Sequence, residues 1–194
     1  MKPSFRRVVP FPGLKCAFLD RDGVINRKAA EGKYISTWSE FEVLPGAEEA
    51  IGKLNCAGCR VVVLTNQRGV ALGLYTVEEV HRLHARLQRH LEAYGAHIDG
   101  FYFCPHDNGQ CTCRKPDVGL FEQAVQDFPA ITPETSVMIG DSVSDIAAAQ
   151  SFGCRSVFVE GDPSTSKPGA RKAKELADGV AGSLGEAVDS LLAG

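Results

Sequence analysis

Ala17-Phe18-Leu19-Asp20-Arg21-Asp22-Gly23-Val24-Ile25-Asn26 is the stretch from which this chain is best read. A short apolar run stops at two carboxylates one residue apart, and a glycine follows. Such a run predicts a buried strand, and the glycine predicts the turn that leaves it. Asp20 and Asp22 then project from the C-terminal edge of a sheet, where open α/β folds gather their ligands. Two acids this close repel each other unless a cation neutralises them, and Mg²⁺, a hard oxygen-seeking ion, suits the pair. The bland alternative is an Asx turn after a strand, for which the same residue types are common. What surrounds the stretch favours the ion.

Outward from it, the pattern recurs. Residues 27–39 are too polar for core and predict a loop over the strand's end. Pro45-Gly46 opens a helical pattern with Ala47, Ala50, Ile51 and Leu54 on one face and Gly58 as its stop. Arg60 to Leu64 is a β-branched run typical of a strand buried on both faces, and it ends in Thr65-Asn66-Gln67-Arg68-Gly69. Thr76-Val77-Glu78-Glu79 predicts a capping box and a helix to about Tyr94. A third strand is expected over 98–103, a helix over 116–128, and a fourth strand over 136–139 that ends at Gly140-Asp141-Ser142-Val143-Ser144-Asp145. A helix to Phe152, a strand over 156–159, a Gly/Pro/Ser loop over 161–170 and a helix from Leu184 to Leu192 complete the chain. Alternating strands and helices predict βαβ units around a parallel sheet, in a single α/β domain spanning 1–194.

Composition narrows the function. At 194 residues the chain can bury a sizeable core, and its 44% hydrophobic and 23% charged residues are ordinary for a globular protein. A net charge of −3 gives no electrostatic reason to bind nucleic acid or an anionic membrane. Residues 1–14 carry Lys2, Arg6, Arg7 and three prolines but no apolar run of the signal-peptide kind, and no segment is apolar enough to span a bilayer. Seven cysteines in that setting predict reduced thiols or metal ligands. A cytoplasmic monomer is expected.

The polar strand ends supply the parts of a phosphoryl-transfer site. A carboxylate such as Asp20 can attack phosphorus and form an aspartyl-phosphate, splitting hydrolysis into two easier displacements. Asp20, Asp22 and Asp141 can hold Mg²⁺, with Asp145 in support. Thr65 and Asn66 can donate hydrogen bonds to phosphoryl oxygens, and Lys115 can supply a fixed positive charge. Asp22, beside the nucleophile, can protonate the leaving oxygen and later deprotonate water.

Asp20-x-Asp22-Gly23-Val24, Thr65 after an apolar strand, Lys115, and Gly140-Asp141-x-x-x-Asp145 together resemble the haloacid dehalogenase (HAD) superfamily of phosphatases. Asp20-Arg21-Asp22-Gly23, Thr65-Asn66-Gln67, Cys104-Pro105-His106 and Cys111-x-Cys113-Arg114-Lys115-Pro116 are similar to its heptose-bisphosphate and histidinol phosphatase branch. The resemblance runs from about residue 17 to 159. It implies a Rossmann-like three-layer parallel sheet with a short zinc-bound loop and no large cap domain. It also implies Asp20 as nucleophile, Asp22 as acid and base, and Thr65 and Lys115 as phosphoryl stabilisers. Mg²⁺ would be held by Asp20, the Asp22 backbone carbonyl and Asp141, and the small phosphorylated sugar would meet Asn66, Gln67, Arg68, Arg114, Lys115 and Ser142. The implied reaction is removal of the 7-phosphate of a heptose 1,7-bisphosphate. Histidinol phosphate or another small sugar phosphate is the alternative substrate, and a zinc-ordered binding module without turnover is the non-enzymatic alternative. Leu72, Ser142 and Arg68 depart from that branch, where arginine, lysine and a small residue respectively are frequent.

Cys104, His106, Cys111 and Cys113 lie within ten residues of one another, the make-up of a closed structural zinc site. The loop is too short and polar to order itself by burial, so a metal clip would shape it and present Arg114 and Lys115. Cys56-x-x-Cys59 precedes a strand instead of opening a helix after one, which argues against redox chemistry. Cys16 and Cys154 read as core residues, and Arg171-Lys172-Ala173-Lys174 as a solvated helix face. His81, His84 and His90 are expected to be solvated on a polar helix.

Overall fold

Four consecutive apolar residues form the first strand, β1 (Cys16–Leu19), and all are buried because helices cover both of its faces. The computed structural model describes residues 5–30, 32–161 and 169–193. The chain continues through α1 (Ala47–Cys56), β2 (Arg60–Asn66), α2 (Val77–Glu92), β3 (Gly100–Cys104) and α3 (Gly119–Asp127). A 3-10 turn at Pro133–Thr135 leads to β4 (Ser136–Gly140), α4 (Val143–Phe152) and β5 (Arg155–Val159). Then come α5 (Ala170–Leu176), β6 (Gly179–Ala181) and α6 (Leu184–Leu192). The strands join in one six-stranded sheet in the order β3-β2-β1-β4-β5-β6, parallel throughout.

Alternation along each strand sorts the core into two layers. Ala17, Leu19, Val61, Val63, Val137 and Ile139 share a cluster with Ile51, Leu54, Leu87, Leu91 and Val188 from α1, α2 and α6. Cys16, Phe18, Val62, Leu64 and Met138 share the opposite one with Leu120, Phe121, Ala148 and Ala149 from α3 and α4. The result is the expected three-layer α/β sandwich. Thr76 begins α2 as expected: its Oγ1 accepts from the Glu79 N–H at 3.2 Å, and Glu79 Oε2 accepts from the Thr76 N–H at 2.7 Å.

Register then positions the chemistry. Leu19 lies beside Val63 and Ile139, so Asp20, Leu64 and Gly140 come level at the C-terminal edge. From β1 the winding goes to β2 and β3 on one side and to β4 on the other. The edge between β1 and β4 is therefore the topological switch point, where α/β sheets open a crevice.

The structure adds a strand to the sequence expectation and gives the basic run its helix. β6 has only three residues, one a glycine, and so shows no alternation; it is held by β5 and by the Val180 N–H donating to the Arg6 carbonyl at 2.9 Å. α5 carries the basic run, with Arg171 exposed and paired to Glu175 at 3.0 Å, as a solvated face should be. Most of the expected 161–170 loop lies outside the described residues. No helix among the described residues is long and apolar enough to cross a membrane.

Candidate active site

Asp20 follows β1 directly, its N–H donating to the Ile139 carbonyl at 2.9 Å, which carries the sheet ladder one residue beyond the strand. Its carboxylate meets Lys115, whose side chain is almost wholly buried. Lys115 Nζ lies 3.0 Å from Asp20 Oδ1, 2.6 Å from Asp145 Oδ1 and 2.6 Å from the Leu64 carbonyl oxygen. Two of these contacts are hydrogen bonds and the one to Asp145 is an ion pair, so the ammonium is held on three sides and the charge cannot wander. Burial alone lowers the pKa of this lysine, but the carboxylates of Asp145 and Asp20 outweigh burial and raise it. The lysine backbone is clamped as well: Asn66 Nδ2 donates to the Lys115 carbonyl at 3.0 Å, and Asn66 Oδ1 accepts from its N–H at 3.1 Å. Asn66 therefore uses its side-chain amide to hold Lys115.

Asp22 sits in the turn after β1. Its carboxylate accepts from Arg21 Nη2 at 3.1 Å, Asn26 Nδ2 at 3.0 Å and Gln67 Nε2 at 3.0 Å. Burial alone would raise its pKa; the Arg21 charge and these hydrogen bonds outweigh burial and hold it below the usual carboxylate range. Arg21 is itself buried, against the Phe41 ring and 3.3 Å from His84 Nε2. His84 is thus not solvated as expected. It is buried and stacked on Phe101, and burial followed by the Arg21 charge pushes its pKa down to about 3, leaving it neutral. His90 also has a partner, Glu48 at 2.9 Å.

Carboxylate oxygens of Asp20, Asp141 and Asp145 all lie within 4.8 Å of one another. Three acids so gathered match the hard oxygen donors that Mg²⁺ prefers, and Asp22 adds no side-chain oxygen to the cluster. Gly23 makes the approach possible. Its φ is 99°, and a Cβ there would lie 2.2 Å from Asp141 Oδ2. Lys28, from the polar loop after β1, forms an ion pair with Asp141. Sequence reasoning missed this contact, because a lysine in an aperiodic loop carries no positional signal.

Asp20, Asp22, Thr65, Asn66, Lys115 and Ser142 line one cavity of about 50 Å³, joined by Ser144 and Asp145. Ser142 is the N-cap of α4, its N–H donating to Asp145 Oδ2 at 3.0 Å. A neighbouring cavity of about 140 Å³ shares Asp22 and Asn66 and adds Gln67, Lys28, Lys33, Tyr34 and Tyr75. Arg68 and Arg114 line neither cavity. Arg68 is gripped by Asp107 through Nε at 2.5 Å and Nη2 at 3.1 Å, which offsets the charge that the sequence suggested was aimed at substrate. Arg114 lies half-buried along the cysteine loop, donating from Nε to Asn108 Oδ1 at 2.8 Å.

That loop brings Cys104, His106, Cys111 and Cys113 together. Cys111 Sγ is 3.5 Å from Cys104 Sγ and 3.4 Å from Cys113 Sγ, while His106 Nδ1 is 3.7 and 3.4 Å from Cys104 and Cys113. Tetrahedral zinc with Zn–S near 2.3 Å and Zn–N near 2.1 Å sets ligand atoms about 3.6–3.8 Å apart, whereas a disulfide needs about 2.05 Å. The donor set and spacing fit zinc and exclude a disulfide. Elsewhere Cys16 and Cys154 are buried, as expected. Cys56 is exposed and Cys59 buried, the Cys59 thiol donating to the Leu14 carbonyl at 3.3 Å.

A HAD-hydrolase-like family model matches residues 112–187. The D-glycero-alpha-D-manno-heptose-1,7-bisphosphate 7-phosphatase of Mycobacterium tuberculosis is 44% identical over 152 residues, 75% of this chain and 80% of that protein. The D-glycero-beta-D-manno-heptose-1,7-bisphosphate 7-phosphatase of Haemophilus ducreyi is 35% identical over 170 residues, 83% of this chain and 91% of that protein. Among solved structures, the D,D-heptose 1,7-bisphosphate phosphatase of B. bronchiseptica, complexed with magnesium and phosphate, superposes with a TM-score of 0.81 at 29% identity. The match covers 93% of this chain and 99% of that one.

Proposed function

The chain belongs to the HAD-like hydrolases, in the family of heptose-1,7-bisphosphate 7-phosphatases, and on that premise we propose that it removes the 7-phosphate of D-glycero-D-manno-heptose 1,7-bisphosphate. A carboxylate oxygen of Asp20 attacks phosphorus as the bond to the sugar C7 oxygen breaks. Asp22 is ionised at rest, and the like charge of the entering phosphoryl group raises its pKa so that it takes up a proton from solvent. It gives that proton to the leaving oxygen, then takes one from the water that releases phosphate from Asp20. Thr65 and Lys115 stabilise the phosphoryl oxygens. Asp20, Asp141 and the Asp22 backbone carbonyl would hold Mg²⁺, which neutralises phosphoryl charge when bound. The observation that supports this most is the Asp20 carboxylate 3.0 Å from a buried, fully engaged ammonium, in one cavity with Asp22 and Thr65 at the switch point. In this reading residues 1–194 act as a single phosphatase domain, and the working unit is a monomer.

Substrate choice rests on charge. A heptose bisphosphate presents a second phosphate away from Asp20, whereas histidinol phosphate presents a cationic amine. Arg114, next to the engaged Lys115, offers a planar fork suited to phosphate or sugar hydroxyls, and it would repel the amine. Both anomers of the bisphosphate, histidinol phosphate and a small aryl phosphate should be compared by kcat/KM. Arg114→Ala should cost the bisphosphate roughly 1.5–3 kcal/mol, about 10- to 150-fold, and change aryl phosphate hydrolysis much less. Histidinol phosphate as the better substrate, or an equal loss on all substrates, would remove the heptose assignment.

The two metals should separate in experiment. Cys104, His106, Cys111 and Cys113 hold a structural zinc whose thiolates stay reduced in the cytoplasm. A weak chelator that strips Mg²⁺ should stop turnover reversibly and leave the fold intact. Cys113→Ser should instead lower zinc content, loosen the loop and reduce activity through Arg114 and Lys115. Protein purified without chelators that holds no zinc, and takes none up, would end the zinc assignment.

A further inference from the structure

Gln67 is buried just beyond β2, and its amide is engaged on three sides. Nε2 lies 3.0 Å from Asp22 Oδ2 and 2.9 Å from Thr65 Oγ1, while Oε1 lies 2.7 Å from the hydroxyl of Tyr75, which is also buried. The proton directions follow from chemistry. In the resting site Asp22 is ionised and only accepts, so the NH₂ end faces it and the Tyr75 hydroxyl donates to Oε1; a proton taken up later sits on Asp22 without displacing that donor, since a carboxylic acid still accepts. The second N–H of the same group goes to Thr65 Oγ1, leaving the hydroxyl proton of Thr65 to be given to a phosphoryl oxygen. Arg21 and Asn26 also touch Asp22, but both belong to its own turn and move with it. Gln67 is the brace that reaches Asp22 from the neighbouring strand. The chain makes room for the brace: a Cβ on Gly69 would lie 2.1 Å from the Tyr75 ring.

Resting on the phosphatase reading above, we propose that Gln67, with its amide orientation set by Tyr75, is a positioning residue that aligns Asp22 with the leaving oxygen and Thr65 with the phosphoryl group. It touches no reacting atom. Its effect is to keep the proton of Asp22 on the line to the sugar oxygen as the P–O bond breaks and the phosphoryl group passes to Asp20. An alkoxide leaving group needs that proton, whereas an acidic phenol leaves without it.

The test is kcat/KM, which reports the step that breaks the P–O bond, across monoesters from alkyl phosphates to p-nitrophenyl phosphate. Gln67→Met keeps the length and burial of the side chain but cannot hydrogen-bond to either partner. It should lower kcat/KM roughly 10²-fold for alkyl phosphates and less than about 10-fold for p-nitrophenyl phosphate, steepening the dependence on leaving group. Tyr75→Phe, which keeps the ring, should shift the same slope in the same direction by a smaller amount. It also keeps the proposal testable if Gln67→Met does not fold. Equal losses on every leaving group, or none, overturn the role at Asp22. A crystal structure of either variant is an arm independent of turnover. A displaced Asp22 carboxylate supports the brace, and an unmoved one overturns it. Should the wild-type protein hydrolyse no monoester, the phosphatase reading falls by itself and the crystal structure alone judges the brace.

Discussion

Asp20→Asn should abolish turnover, by roughly four to six orders of magnitude in kcat, and leave the chain folded. The amide has the shape of the carboxylate and can still accept a hydrogen bond from Lys115 Nζ, now 3.0 Å away. It cannot attack phosphorus and give up phosphate again. Rapid acid quenching of the wild-type protein with radiolabelled substrate should leave phosphate on the peptide containing Asp20, and the variant should carry none. Thermal unfolding is the control, because one charge of a buried cluster has been neutralised and a small shift is expected. Substantial residual activity in a correctly folded Asp20→Asn would mean that another group takes the phosphoryl group, and the mechanism would have to be rebuilt.

The parts of this site legible in the sequence are those with local cause. An apolar run that stops at Asp20, Thr65 or Asp141 marks a strand and its end together, and parallel register then brings the ends level. The spacing of Cys104, His106, Cys111 and Cys113 is set by the reach of one metal ion, so it too is a local signal. What escaped is polar burial that depends on distant partners. His84 looked solvated because its helix is rich in charge, yet Val80, Leu87 and Leu91 place it at a core position. That spacing was the available clue. For Lys28 there was none, since its partner Asp141 is far along the chain. Arg68 shows the converse: a positive charge beside a motif is no guide to its target, because Asp107 holds this one against the cysteine loop.

Lys115→Met should be the most damaging change to stability in the site. Lys115 lies between Asp20 and Asp145, ion-paired to both and hydrogen-bonded to Asp20 and the Leu64 carbonyl, and its burial means that water cannot replace it. Methionine fills most of the same volume but leaves two buried carboxylates facing each other without their cation. Removing one partner of a buried ion pair costs about 3–5 kcal/mol, against a total stability that is typically only about 5–15 kcal/mol. The urea midpoint should fall accordingly. Turnover should drop by at least about 10²- to 10³-fold, the effect of losing one preorganised charge at a developing anion. The double variant Lys115→Met with Asp145→Asn separates the two losses. Neutralising Asp145 removes one of the stranded charges, so part of the stability should return while activity does not. A single variant as stable as the wild type, or a double variant no more stable than the single, would show that the ammonium does not compensate these two acids. The account of a fixed charge at the phosphoryl site would then have to be given up.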